Sequence, residues 1–462
     1  MDNYFLAVGG GNEVGASAYL LAIDGIKILI DAGIRMHGER AFPDFSPLYT
    51  AFGGPAGLDA FLLTHAHLDH CGAITRLHYD APHLAKFATQ PTLDIGAIML
   101  GDALRSVNRR RTEDWSVEEA TRQLLDETLA SFCPVPFDVP FGLGSSSATA
   151  IALRAGHILG AASYLIEVNG RRILHTGDLS LHNQRTIPGV AYLDTIGTVD
   201  LLIIESTYAY QPEQRKQPIE EEQYGLLSRI SAVVQGQGRA LIPAFALGRA
   251  QEVAALLVDA FEQGLIAPFP VWLDGMVRPV TDCYNAHRSI LQGRLQSRQG
   301  HAFYNEWVQP VTRSQGPDPQ RSEEWGPMCV IASSGMLLDG TRSARYAQTM
   351  LCHPQDAIFF SGYLDEESPG RRLLDLVSGG PPLRLNNRSV DVQAQVGRYH
   401  LSAHASSADL QWVIHALRPR VVILVHGDYR FDGDPHFVAN CMQLEREGIR
   451  VYQAANGVPI YI

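Results

Sequence analysis

The sequence predicts an α/β chain in which one α/β domain is inserted into another. Three observations carry this reading. Several apolar runs end in a polar residue able to bind a metal or move a proton: "IKILID" at Asp31, "FLLTH" at His65, "IALRAGH" at His157, "ILHTGD" at Asp178, "DLLIIE" at Glu205 and, far downstream, "VVILVH" at His426. From Tyr208 to Pro382 the pattern changes to strands and helices in alternation, punctuated by glycine and proline. The earlier style then returns in "VDVQAQVGRYHLSAHASSADLQWVIHALRPRVVILVHGD".

Each part has its own justification. Strands that finish in ligand-type residues line one edge of a sheet with them, so residues 1–207 are expected to form a first domain whose site is assembled from distant segments. Residues 208–382 are expected to be the insertion, with helices at "IEEEQYGLLSRISAVV", "GRAQEVAALLVDAFEQG" and "TRSARYAQTML" and strands at "RALIPAF", "FPVWLDG", "MCVIASSG" and "AIFFSGY". In the first of these helices Ile219, Leu226, Leu227, Ile230, Val233 and Val234 follow the 3- and 4-residue spacing of one buried face. Residues 383–462 are expected to return to the first domain.

A chain of 462 residues is longer than a single core supports, and about two to four domains of ordinary size are expected. With 46% hydrophobic and 19% charged residues the composition is globular, and no apolar run has the length that a bilayer demands. The N-terminal "MDNYFLAVGGGNEVGASAYLLAIDG" has neither a basic leader nor a short apolar segment before a cleavage site, so export is not expected. Six scattered cysteines without a C-x-x-C pair fit neither a zinc ribbon nor a disulfide framework, which points to reducing cytoplasm. A net charge of −12 opposes broad attraction to polyanions, so a nucleic-acid function needs a local basic groove. The stretch "VNRRRTEDW" is read as a solvated helix surface, and "GGGNEVG" as a turn near the active-site edge, since no helix follows it.

"THAHLDHCG" raises the chemical question most directly. His65 and His67, spaced by two in an extended segment, present both rings on the same side. Asp69 and His70 follow where the chain turns toward the helix "CGAITRLHY" and aim at a neighbouring point, so two adjacent metal positions are expected. Imidazole nitrogen with carboxylate oxygen suits zinc; manganese and iron remain open on ligand type alone.

"THAHLDHCGAI" resembles the signature of the metallo-β-lactamase superfamily, with Asp31 in "LIDAG", His157 in "AGHILGAAS" and Asp178 in "HTGDLS" matching three further motifs. The resemblance implies an αββα sandwich with a two-metal site at one edge. It places His65, His67 and His157 on one metal, Asp69 and His70 on the second, and Asp178 as the bridge. Asp31 is implied as an orienter behind the ligands; a strand-end turn aspartate is the plainer reading.

The superfamily acts on thioesters, lactams, lactones and phosphodiesters, so the insertion has to choose the substrate. "IIESTYAY", "LSAHASSADL" and "LVHGD" resemble motifs A, B and C of the β-CASP nucleases, a family that includes the pre-mRNA cleavage and polyadenylation endonuclease, the Integrator endonuclease and ribonuclease J. "PAFALGRAQE", "IASSGML" and "FSGYL" resemble stretches of that family's inserted domain, so the fold class is an αββα sandwich with an inserted α/β β-CASP domain. By this correspondence His426 completes the second metal's ligands, while His404, paired with Glu205, is the general acid; Asp69 and Asp31 count with them as catalytic. Histidine at motif C marks the RNA-acting members.

The resemblance therefore implies a ribonuclease using two Zn2+ ions, with Mn2+ as an alternative, that cuts single-stranded RNA internally or from the 5′ end. RNA is expected to thread between the sandwich and the insertion, and a homodimer is an arrangement open to the chain. Rival readings are a DNA nuclease of the same family, a small ester or lactam hydrolase, and a non-catalytic RNA-binding scaffold. Arg249 and Gly248 at a strand-to-helix junction, and Ser333, Ser334 and Gly335 in a small-residue turn, are candidates for binding substrate phosphate. For Arg249 an interdomain salt bridge is the equal alternative. The segment after His404 lacks the acidic residue common in the family, "ESTYAY" lacks a glycine, and His175 and Cys71 are read as packing residues.

Overall fold

The computed structural model describes residues 3–35, 41–107, 121–144, 146–209, 218–321, 325–376, 383–427 and 435–462. Most of "VNRRRTEDW" lies outside them. The chain divides into two compact units: Met1–Asn183, Gly189–Glu213 and Ala403–Ile462 form the first, Gln184–Pro188 and Gln214–Ser402 the second.

The first unit contains two seven-stranded sheets. In one, Pro459–Tyr461, Tyr4–Gly9, Ala18–Ile23 and Ile26–Ile30 run antiparallel, and Ala60–Leu62, Ala85–Ala88 and Phe132–Pro134 continue parallel to the last of these. In the other, Arg450–Gln453, Val421–Val425, Leu201–Glu205 and Arg171–His175 are parallel, followed by antiparallel Ala162–Val168, Thr149–Arg154 and Pro140–Gly142.

Strand alternation sorts the side chains into layers. Phe5, Tyr19, Ile28 and Ile30 of the first sheet meet Tyr164, Ile166, Ile203 and Ile423 of the second in one core. Their neighbours Leu6, Leu20 and Leu29 face outward onto Ile74, Leu77, Leu93 and Leu125 of the helices Ile74–Asp80, Gln90–Val107 and Arg122–Ala130. On the far side Leu174, Leu202 and Val422 pack against Leu410, Val413 and Leu417 of the helix Ser407–Leu417. The result is an αββα sandwich, and burial on both faces explains why these strands read as continuous apolar runs.

The second unit is built on six parallel strands in the order Val308–Pro310, Val271–Asp274, Met328–Ala332, Arg239–Pro243, Ala357–Phe360, Gln395–Arg398. Helices Ile219–Gln235, Arg249–Glu262 and Arg342–Met350 occupy the stretches where the sequence places them, the first of them by its apolar periodicity. Leu241, Val330 and Ile358 of the sheet bury against Tyr346, Ala347 and Met350.

Two expected boundaries move, the first from 208 to Gln214, where the main segment of the second unit opens. The return to the first unit comes at Ala403 rather than at 383, because Gln395–Arg398 pairs in parallel with Ala357–Phe360 as the edge strand of the second unit's sheet. Among the described residues no helix is long and apolar enough to cross a membrane.

Candidate metal centre

In the first unit, strands Ile26–Ile30, Ala60–Leu62, Thr149–Arg154, Arg171–His175, Leu201–Glu205 and Val421–Val425 lead into, or end at, the polar residues singled out in the sequence. Their C-terminal ends share one edge, where side chains from distant segments converge. His65 Nε2 lies 3.1 Å from His67 Nδ1, and His157 Nε2 lies 3.2 Å from the same atom. His70 Nε2 is 3.3 Å from His426 Nε2, which is itself 3.4 Å from Asp69 Oδ2. Asp178 Oδ2 stands between the groups, 3.7 Å from His65 and from His157 and 3.4 Å from His70. Ligand atoms of His65, His67, His157 and Asp178 lie within 4.8 Å of one another, as do those of Asp69, His70 and His426.

Local backbone makes this convergence possible. Asp31 (φ +62°) and His426 (φ +53°) both adopt left-handed conformations that turn the chain sharply at a strand end. Ala32 donates to His70 O at 2.9 Å and Ile34 to Leu68 O at 2.9 Å, so "LIDAG" runs directly alongside "LDH". A Cβ at Gly33 would collide with the Asp69 carbonyl, which is why glycine stands there.

The rings are held from behind. Asp31 Oδ2 accepts from His70 Nδ1 at 2.7 Å and from Thr64 Oγ1 at 2.8 Å, and Thr64 Oγ1 lies 3.0 Å from His65 Nδ1. His157 Nδ1 donates to Ala403 O at 3.0 Å. With the rear nitrogens of these three rings engaged, their Nε2 atoms face the cluster as lone pairs. Asp178 Oδ1, buried in the same place, has no hydrogen-bond partner. Converging nitrogen lone pairs and an unsatisfied carboxylate oxygen are the donor set of a bound cation, and mixed imidazole and carboxylate ligands fit zinc.

Electrostatics agree with this. Burial alone would lower the His70 pKa, yet the carboxylates of Asp178, Asp69 and Asp31 hold it well above the ordinary imidazole value. Burial would raise Asp178, but His426 and His70 hold it well below the carboxylate range. Carboxylates packed this closely require positive charge beside them, which a bound cation would supply.

Beside the cluster, His404 Nδ1 lies 2.9 and 3.1 Å from the two oxygens of Glu205, which also accepts from Leu179 N at 2.8 Å. Burial by itself would lower the His404 pKa; Glu205, then Asp178 and Asp69, reverse this and raise it to about 9. Tyr208 meets the His404 ring edge-on, with centroids 5.8 Å apart.

The phosphate-binding candidates belong to the second unit. Arg249 opens the helix Arg249–Glu262 and lines a small pocket with Gln223, Glu252 and Ser402. Gly335 lies against the Phe245 backbone, and Gly362 against Phe245 and Arg249. The Ser333 and Ser334 hydroxyls accept backbone N–H groups of Met276 (3.2 Å) and Leu338 (3.1 Å), so both first serve the turn.

Sequence reasoning missed Thr64, Thr207, Tyr208 and the Ala403 and Gly10 carbonyls. Thr207 Oγ1 lies 3.0 Å from His426 Nδ1, and Gly10 O, in the "GGGNEVG" turn, accepts from His426 N at 2.7 Å. Adjacency to motif residues was the available signal for the two threonines; carbonyls leave none.

His175 is buried in the inter-sheet core, its ring 5.3 Å from that of Tyr19, with Nδ1 accepting from Gly177 N at 3.1 Å and Nε2 unpartnered. Burial, with the charge on His70, lowers its pKa to about 3. A histidine depressed from 6.5 contributes stability that is present above pH 6.5 and lost as pH falls toward 3, at about 1.4 kcal/mol per pH unit. Urea unfolding at pH 7 and pH 5 is therefore expected to show a smaller acid-induced loss for His175→Phe than for the parent. An equal loss would remove this account.

Residues 20–207 match a domain described as the metallo-beta-lactamase superfamily domain, residues 250–373 the Beta-Casp domain, and residues 389–434 the Zn-dependent metallo-hydrolase RNA specificity domain. The chain is 30% identical over 446 residues to the transcription termination factor FttA of Methanocaldococcus jannaschii, covering 91% of this chain and 66% of the relative. It is 29% identical over 431 residues to Integrator complex subunit 11 of Danio rerio (91% and 68%). Over 428 residues it is 28% identical to cleavage and polyadenylation specificity factor subunit 3 of Dictyostelium discoideum (91% and 53%). It thus spans between 53% and 68% of the length of these relatives. A crystal structure of a protein of unknown function from Enterococcus faecalis superposes over 100% of both chains with a TM-score of 0.61 and 16% identity, a likeness of fold.

Proposed function

The chain belongs to the β-CASP branch of the metallo-β-lactamase superfamily, and on that premise we propose that it is a two-metal ribonuclease. It hydrolyses the P–O3′ bond of single-stranded RNA and leaves a 5′-phosphate. The observation that carries this reading is the His404–Glu205 pair, 2.9 Å apart, standing beside the His65, His67, His157 and Asp178 group and the Asp69, His70 and His426 group, with Asp178 also 3.4 Å from His70 and 3.5 Å from His426. The names of the similar proteins and of the RNA specificity domain, which includes His404 and His426, favour RNA as the substrate class.

His65 Nε2, His67 Nδ1 and His157 Nε2 would hold one ion, and Asp69, His70 and His426 a second, with Asp178 common to both. When bound, the ions supply positive charge for the phosphoryl oxygens and lower the pKa of the attacking water. The remaining work falls to the chain. Asp31 and Thr64 orient the ligand rings through their rear nitrogens. Glu205 engages His404 Nδ1, which leaves Nε2 to deliver a proton to the departing O3′. The His404 side chain is 20% exposed, whereas Glu205 is 1% exposed, as expected if the first meets substrate and the second only positions it.

The test is cleavage of labelled RNA and DNA by purified, metal-assayed protein. RNA bearing a 5′-hydroxyl or a 5′-monophosphate, and circular RNA, separate internal cutting from 5′-end entry by product length. Cleavage of RNA in preference to DNA is expected. Protein with two ions bound that cuts no single strand would remove the proposal.

A further inference from the structure

We propose that Thr207 is a positioning residue that fixes the tautomer of His426 and thereby governs occupancy of the metal position formed by Asp69, His70 and His426. The inference rests on the metal-binding part of the reading above, and it concerns the affinity of one position rather than the reaction.

Leu201–Glu205 and Val421–Val425 pair in parallel with Glu205 opposite Val425, so the segments that follow, Ser206–Thr207 and His426–Gly427, run on side by side. Ser206 Oγ donates to Val425 O at 2.8 Å, and a Cβ at Gly427 would collide with that same hydroxyl. The contact brings Thr207 Oγ1 within 3.2 Å of His426 O and 3.0 Å of His426 Nδ1.

A hydroxyl has one proton and two lone pairs, and a carbonyl oxygen accepts only. Both Thr207 contacts are satisfied together in one way: the hydroxyl donates to His426 O and accepts from His426 Nδ1–H. The other group near Nδ1, Asp178 Oδ1 at 3.5 Å, makes no hydrogen bond. Protonated at Nδ1, the neutral ring must present a lone pair at Nε2, the atom that faces Asp69 Oδ2 and His70 Nε2. The Gly10 carbonyl, accepting from His426 N, holds the backbone of the same residue.

The same logic operates at Thr64, which donates to Asp31 Oδ2 and so must accept from His65 Nδ1–H. Behind His426 no such carboxylate backs the hydroxyl in the described contacts, which leaves Thr207 as the group that sets the ring. His65 and His157 are held by other partners, so the effect of Thr207 is confined to one of the two positions.

The experiment compares the full chain with Thr207→Val, which keeps the shape and removes the hydroxyl, and Thr207→Ser, which keeps the hydroxyl. Bound zinc per chain is measured by elemental analysis after equilibration in a graded series of free-zinc buffers. For Thr207→Val we expect one ion bound as in the parent and the other weakened about 10–100-fold. Thr207→Ser is expected to bind both ions as the parent does. Parental affinity for both ions in Thr207→Val, equal weakening of both ions, or failure of serine to restore the weaker one would overturn the inference. So would a parent that binds a single ion. A parent that binds two ions yet cuts no RNA would sink the proposed reaction and leave the role of Thr207 standing.

Discussion

Asp178→Ala is expected to lose bound metal and to slow RNA cleavage by about 10⁴-fold or more, close to 5.5 kcal/mol of transition-state stabilisation. Among the described residues Asp178 is the one carboxylate that reaches both groups of ligands: Oδ2 faces His65, His157 and His70, and Oδ1 faces His426 at 3.5 Å. It is 3% exposed, so its charge is poorly screened and water does not readily replace it. Alanine would leave four buried imidazoles facing a void without the anion that makes a second cation tolerable beside the first. Elemental analysis after dialysis, with single-turnover cleavage of a labelled RNA on the same preparation, reads both effects. Two ions retained per chain together with more than a hundredth of the parental rate would show that the geometry has been misread. A thermal unfolding scan of each preparation separates loss of metal from loss of fold.

The reach of the sequence differs between the ligands and what stands behind them. His65, His67, Asp69 and His70 are legible because buried strands seldom end in a cluster of ligand-type residues without a use for it. Asp178, Glu205 and His426 are legible for the same reason once each apolar run is taken as a strand of a common edge. The supporting atoms are not. Carbonyls exist in every residue, and only the folded chain brings that of Ala403 to the His157 ring and that of Gly10 to the His426 backbone N–H. The end of the insertion was misplaced for a related reason. Gln395–Arg398 is polar and short, and its partner Ala357–Phe360 is far away in sequence, so local pattern has no means of assigning it to a sheet. In the small-residue turn, Ser333 and Ser334 each accept a backbone N–H, from Met276 and from Leu338, which seats the turn and leaves the hydroxyl protons outside these two bonds. Cys71 and His175, set aside as packing residues despite their place inside the motifs, are both buried.

His404→Ala is expected to retain both metals while losing cleavage by about 10²–10⁴-fold, the range for removing a general acid. His404 stands beside the cluster, its ring 4.6 Å from that of His157, but its Nδ1 is engaged by Glu205 and the proposed reading places it on neither ion, so metal content and rate should separate in this variant as they do not in Asp178→Ala. Glu205→Gln sharpens the assignment, because the amide oxygen can still accept from Leu179 N while the negative charge is gone. The carboxylate is the foremost of the influences that raise the His404 pKa, to about 9, against the lowering effect of burial. A general acid works while protonated, so the rate is expected to fall on the alkaline side of the profile. Removing the carboxylate lowers the pKa and should carry that fall to lower pH, with the loss smallest in acid and growing as pH rises. Rates of the parent and of Glu205→Gln measured from pH 6 to pH 10, at saturating metal, read the displacement. An alkaline limb that stays in place, or moves upward, would mean that the proton for the leaving oxygen comes from another group.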